Sequence, residues 1–182
     1  HFNIFLVDNW TKSEFRQITQ LTNQKYGQAR FPLQYNVNHF TFVSDASGIG
    51  NRYAGFFSTK KDGLDTIYKV GDEYLRNPIP KELDSTLKAF KKTEPDSIGF
   101  ISISNDSTYV FPITNYESGL QESRGAGDNN LVSEVRQEGD MKFLYKLKVN
   151  DAALLRRNIN ARPTAYVKKL IDDERKAQQN NL

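Results

Sequence analysis

Hydrophobic and polar positions alternate with a period of two over much of this chain, and the clearest run lies in its last third. Over Met141–Val149, residues Phe143, Tyr145, Leu147 and Val149 face one way and Lys142, Lys146 and Lys148 face the other. That pattern predicts a half-buried strand. Leu131–Arg136 reads as its partner, and Gln137-Glu138-Gly139-Asp140 as the turn between them. A second hairpin is predicted over Phe40–Phe57. There Phe40, Phe42 and Tyr53 carry the apolar weight, and Ser44 to Gly50 is a cluster of turn formers. Asp and Ser side chains bond their own backbone in such turns, and Gly48 and Gly50 take positive φ at little cost.

Further strands are expected over Phe2–Val7, closed by a turn at Asp8-Asn9, and over Phe15–Leu21. In the latter stretch Lys12, Glu14, Arg16 and Gln17 are good helix formers, but Thr19 and Thr22 weaken a helix and strand is favoured. Pro32 keeps Gly27–Asn36 out of a helix and extends Phe31. Ser58–Gly63 reads as a polar turn. Residues 64–97 break the rhythm and read as an insertion between strands: Leu64–Asp72 extends a strand, Asn77-Pro78-Ile79-Pro80 is extended, and Pro80 opens a short helix over Lys81–Lys92 with Leu83, Leu87 and Phe90 in one stripe. The β pattern resumes with Ile98, Phe100, Ile101 and Ile103, turns at Asn105-Asp106-Ser107, and returns over Thr108–Phe111 into Pro112–Tyr116. Glu117–Asn130, rich in Gly and polar residues, predicts a long loop. The tail is expected to be helical: Asn150 caps Asp151–Arg157, and a second helix starts at Pro163 and runs through Tyr166, Val167, Leu170 and Ile171.

Composition narrows the class. The chain has 182 residues, with aromatics at 12%. Leu, Val and Ile are too few for a buried parallel sheet with helices on both faces. Lys and Arg number 25 against 22 Asp and Glu, and no basic cluster stands out from its acidic neighbours, so no nucleic-acid partner is expected. There is no cysteine, which excludes disulfides and Cys-based zinc sites. No apolar run approaches the ~18 residues that span a bilayer. The chain opens on His1 directly before a strand-like run, so it is expected to be a piece of a longer protein.

Candidate chemistry is sparse. The Asp45-Ser47-Gly48 turn offers oxygens to a cation, but such side chains more often cap their own turn. His39 is the only internal histidine, and no Gly-x-Ser-x-Gly accompanies it. Asp62, Asp65, Asp172 and Asp173 lie in polar surroundings and read as solvated, as do the doublets Lys60-Lys61 and Lys91-Lys92. Asn9-Trp10-Thr11 and Asn105-Asp106-Ser107 fit the glycosylation sequon. Trp10, the only tryptophan, sits on an expected hairpin loop; with Tyr116 and Arg124 it is a candidate interface residue. No catalytic residue, metal ligand or cofactor is assigned.

The stretches Asn3–Asn9, Phe40–Phe57 and Ser107–Tyr116 together carry a resemblance. Phe42-Val43-Ser44-Asp45, Gly48, Asn51 and Tyr53 match the blade signature of TolB-like β-propellers, and Ile18–Thr22 and Ile113–Tyr116 match its following strand element. The wording around Ser44–Tyr53 and Phe111–Tyr116 is similar to large envelope-associated members from Bacteroidota. The resemblance implies a mainly β chain of antiparallel four-stranded blades, a partial WD40-like propeller over 1–149 with a helical insertion at about 64–97, and a helical tail over 150–182. Ser44, Asp45, Gly48, Asn51 and Tyr53 are then its structural turn. At about 40–45 residues per blade the chain holds too few blades to close a ring of four or more. The function implied is a non-enzymatic protein-binding or scaffold component of a bacterial cell-envelope assembly, periplasmic or outer-membrane associated and in only indirect contact with the membrane. Its partners would be other chains of that assembly or the remainder of its own propeller. Two other readings stand beside it: a propeller-based hydrolase or lyase, and an extracytoplasmic ligand-sensing domain whose tail helix leads toward a membrane.

Overall fold

The computed structural model describes residues 1–8, 17–127, 130–149, 151–156 and 159–180. The chain is mainly β, with antiparallel sheets and a few helices. The strands are β1 (Phe5–Asp8), β2 (Gln17–Gln20), β3 (Ala29–Gln34), β4 (His39–Ser44), β5 (Asn51–Val70), β6 (Glu73–Arg76), β7 (Ser97–Pro112), β8 (Leu120–Gly125), β9 (Leu131–Glu138) and β10 (Met141–Lys148). The helices are α1 (Pro80–Ala89), α2 (Asp151–Arg156) and α3 (Ala165–Asn180). Two compact units form: His1–Ser58 with Ser107–Leu182, and Thr59–Asp106. The chain leaves the first unit within β5 and returns to it within β7.

In the first unit, β1 pairs β2, the strands β8, β9 and β10 form a second antiparallel sheet, and β3, β4, β5 and β7 form the sheet that organises both. β7 joins β5 through Ile113 N, which donates to Arg52 O at 2.9 Å. The hydroxyls of Ser58 and Ser107 meet at 3.0 Å farther along the same pair.

Alternation along β4 and β5 explains why this organising sheet has two buried faces. Phe42 stands opposite Tyr53, and Phe40 opposite Gly55. These side chains share one face and pack with Ala29 and with Ile4 and Leu21 beside β1 and β2. The rings of Phe40 and Phe42 stack at 5.7 Å, and those of Phe42 and Tyr53 at 5.6 Å. A side chain at Gly55 would run into the Phe40 ring, so glycine there leaves Phe40 its room. Thr41 stands opposite Ala54, and Val43 opposite Arg52, on the other face. Ala54 packs there with Phe111, Ile113, Val132, Val149 and Leu154, which brings β7, β9 and α2 against it.

β3 serves both faces by means of a bulge. Its register slips by one residue between Arg30 and Leu33, where Phe31 has φ 53°. Ala29 and Leu33 are an even number of residues apart and would otherwise share a face. The inserted residue turns the strand over. Ala29, opposite Ser44, lies with Phe40 and Phe42, whereas Leu33, opposite Thr41, packs on the Ala54 side.

The tail is fixed to this unit. Thr164 N donates to Ser47 O at 2.8 Å, Val167 is buried, and Glu174 receives the Lys25 ammonium and the Tyr26 hydroxyl. None of the described helices is long and apolar enough to cross a membrane.

In the second unit β5 turns into β6 at Gly71, with Val70 opposite Glu73 and Ile67 opposite Arg76. β7 lies along β5, where Asp96 N donates to Lys69 O at 2.8 Å. Pro80 opens α1 at a position where its missing N–H leaves no gap. Leu87 is buried, and the Phe90 ring lies where a side chain at Gly71 would stand. Asp65 is buried and satisfied by Arg76 and by Asn77 Nδ2.

Several sequence expectations need correction. Ser58–Gly63 is not a turn: β5 runs through it, and the paired ladder holds six residues whose side chains need no burial. Asn105-Asp106-Ser107 is likewise strand, inside β7. Glu117–Asn130 is not one loop, because β8 occupies Leu120–Gly125 and pairs β9. The first strand starts at Phe5 rather than Phe2, and the final helix starts at Ala165, after Pro163. Phe15, Arg16 and the cap at Asn150 lie outside the described residues.

Candidate functional site

The Ser44–Tyr53 segment directs its polar groups at its own backbone and at two neighbouring segments. Gly48 N donates to Asp45 O at 2.7 Å, and Ala46 N to Ser44 Oγ at 3.2 Å. Asp45 Oδ1 accepts from Gln28 N at 2.6 Å, which ties the turn to the start of β3. Asn51 Oδ1 accepts from Tyr116 N at 2.6 Å and Thr114 Oγ1 at 3.0 Å, while its amide donates to Ile49 O. Gly48 has φ 92°, and Thr164 occupies the place a side chain would need. Tyr53 is buried against Phe42, and that burial raises its phenol pKa. The five residues therefore join the turn, β3, the 114–116 segment and the tail.

Beside this turn opens a cavity of about 510 Å³, with Arg30, Phe31, Asp45, Ile49, Glu117 and Leu120 among its walls. Arg30 is already engaged: its guanidinium donates to Gln28 Oε1 and lies 5.2 Å from the centre of the Phe2 ring.

Beneath the turn lies a feature that the sequence reading did not single out. Arg52 and Glu134 are 2% and 0% exposed, respectively. Arg52 Nε and Nη2 both donate to Glu134 Oε1, at 2.8 and 2.6 Å. Nη2 also donates to Ser123 Oγ at 2.5 Å, and Nη1 to Thr41 Oγ1 at 3.4 Å. Tyr116 OH donates to Glu134 Oε2 at 3.1 Å, and Arg136 Nε lies 3.7 Å from the same oxygen. The Arg136 guanidinium is held over two rings, 3.7 Å from the centre of Tyr145 and 4.6 Å from that of Tyr116. β4, β5, β8, β9 and β10 thus all contribute to one buried polar cluster. Both oxygens of Glu134 are occupied by donors, so the group holds β5 and β9 in register. The available signal was a pair of opposite charges at inward positions of two strands, Arg52 opposite Val43 and Glu134 two residues after Val132.

Burial, and then the negative charge of Glu134, push the Tyr116 phenol up to about 12. An unfolded tyrosine titrates near 10. The folded state keeps the proton longer, so the stabilising contribution is intact below pH ~10 and disappears as pH rises through about 12. Alkaline denaturation is expected to steepen across that window. Tyr116→Phe should flatten it, as followed by far-ultraviolet circular dichroism; an identical pH profile in the variant would separate Tyr116 from the effect.

The other residues noted in the sequence scatter. Arg124 is exposed on β8 and pairs with Glu122 of the same strand at 2.6 Å. His39 opens β4, with Nδ1 3.0 Å from Asn36 Oδ1 and its ring 5.1 Å from that of Phe56. Asp172 and Asp173 are exposed on α3, and Lys92 pairs with Asp96. Trp10 and the Asn9 sequon lie outside the described residues. Among the described residues no three His, Asp or Glu side chains gather to hold a metal. Comparison of the chain with protein-family models, with curated proteins and with solved structures finds no match to any of them.

Proposed function

We propose that this chain is a non-enzymatic protein-binding and scaffold part of a larger β-propeller in a cell-envelope assembly, periplasmic or outer-membrane associated. The observation that carries this reading is the part of a five-stranded sheet that lies in the first unit: β3, β4, β5 and β7, four antiparallel strands side by side in that order, buried on both faces by side chains from flanking elements. A propeller blade has that strand number and needs neighbours on both sides. On this reading β1 with β2, and β8 with β9 and β10, belong to the adjoining blades. The envelope location and partners rest on the resemblance of the Ser44–Tyr53 segment to TolB-like blades.

The far side of β1 and β2 fits an adjoining blade. Val7 stands opposite Ile18, and Phe5 shares their face by alternation. Phe5 is 55% exposed and Ile18 69%. Patches of this kind mark surfaces that another layer covers. The isolated 182-residue chain is expected to self-associate in light scattering and to bind a hydrophobic dye, and Phe5→Ser with Ile18→Ser should reduce both. A wild-type chain that stays monomeric at high concentration, binds no dye and melts cooperatively would overturn the reading.

A further inference from the structure

In the first unit β10 ends its sheet and is long and uninterrupted, unlike β1, β2, β3 and β8. β3 carries a bulge, Pro32 and the positive-φ Phe31. β8 has a register shift between Leu120 and Glu122. β1 and β2 have four residues each. β10 pairs β9 through eight consecutive residues, Met141 opposite Glu138 to Lys148 opposite Leu131, with no slip, glycine or proline, and it ends its sheet. Bulges, prolines, short length and edge lysines keep edges from pairing indiscriminately; of these β10 has only the lysines, which repel basic strands and leave the edge open to acidic ones.

The register also tells which backbone groups face outward. Val149 N donates to Asn130 O, one step beyond the last pair. Hydrogen-bonded pairs alternate in an antiparallel ladder. The odd-numbered residues therefore bond β9, and the amides and carbonyls of Lys142, Leu144, Lys146 and Lys148 point at the open edge.

The side chains define what can lie there. Lys142, Lys146 and Lys148 share one face and are exposed. Their cross-strand neighbours on β9 are Gln137, Ser133 and Leu131, none of them acidic. Glu122, on that face of the sheet opposite Val135, is taken by Arg124. The other face of β10 carries Phe143, Tyr145 and Leu147, continuous with the cluster around Val132 and Arg136. Lysines confined to one face select an incoming strand by charge, and the apolar row on the opposite face selects it by burial.

We infer that the free edge of β10 is a binding site for an extended segment of a partner protein, a strand in which acidic residues alternate with apolar ones. The acids lie beside Lys142, Lys146 and Lys148, and the apolar residues extend the row of Phe143, Tyr145 and Leu147. This deepens the protein-binding reading and rests on it for its setting.

The test uses the full 182-residue chain and a labelled, end-blocked peptide of four Glu-Val repeats, read by fluorescence anisotropy. Saturable binding is expected. It should weaken on the order of tenfold when Lys142, Lys146 and Lys148 are all changed to Glu, because cross-strand charge pairs then become repulsive. The same triple variant should gain affinity for a Lys-Val peptide. A Glu-Val peptide N-methylated at alternate amides, in either phase, should lose binding in at least one phase. The substituted side chains are exposed, so thermal melting of the variant should match wild type. Equal binding of the Lys-Val and Glu-Val peptides by wild type, or no effect of N-methylation in either phase, would overturn the assignment. Self-association through Phe5 and Ile18 is read separately on the same protein. Loss of that association leaves the edge site standing while removing the blade reading, and a silent peptide with intact association does the reverse.

Discussion

Replacing Arg52 with Met is expected to destabilise the first unit by about 3–5 kcal/mol, the usual consequence of leaving one charge of a buried pair without its partner. Glu134 would remain fully buried with only the Tyr116 hydroxyl and the more distant Arg136 to answer it. Ser123 and Thr41 would also lose their donor. Arg136 lies 3.7 Å from Glu134 Oε2, and its approach should keep the loss toward the lower end of that range. The double variant Arg52→Met with Glu134→Leu removes both charges and should recover most of the stability, since apolar replacements of a buried pair are often neutral. Urea denaturation of the two single variants and the double variant gives the coupling directly. A loss below about 1 kcal/mol in the single variant would mean that water reaches the pair.

Phe42→Ala should be comparably severe, about 3–5 kcal/mol for a large ring removed from a packed interior. Phe42 is 1% exposed and stacks between Phe40 and Tyr53. Neither ring can collapse into the space: Phe40 is seated over Gly55, and Tyr53 is held in β5 opposite the vacated position. Phe5→Ala, on the exposed side of β1, serves as the contrast and should change stability by no more than about 0.5 kcal/mol. Urea denaturation of both variants makes the comparison. Equal losses would show that the Phe42 face is not the core.

Which elements could be read from the sequence follows from what each one buries. The hairpin around Ser44–Gly50 was legible because Phe40, Phe42 and Tyr53 flank a dense set of turn formers, and β4 and β5 pair as that pattern requires. α1 was legible from Pro80 and the Leu83, Leu87, Phe90 spacing. β9 and β10 were legible from strict alternation. The passage of β5 through Ser58-Thr59-Lys60-Lys61-Asp62-Gly63 was not, because ladder hydrogen bonds leave no mark on side-chain polarity when neither face is covered. β8 was hidden for a related reason: Leu120 and Ser123 are its only buried residues, and three Gly nearby suggested a loop. The Arg52–Glu134 cluster escaped because an isolated charge in a sequence reads as solvated, and only pairing across strands 82 residues apart shows otherwise. The bulge at Phe31 was half visible: Pro32 announced an irregular strand, but the change of face between Ala29 and Leu33 depends on register, which the sequence does not carry.

The meeting of Ser58 with Ser107 has a consequence for how the gene can change. The two hydroxyls touch on adjacent strands, so the first unit sees everything between them as a single excursion that starts and finishes in facing positions. Codons can be added or lost within that interval without altering the distance its ends must bridge. Length variation among descendants of this chain should therefore accumulate between residues 59 and 106, while Arg52, Glu134 and the aromatic pairs on either side stay under one constant set of constraints.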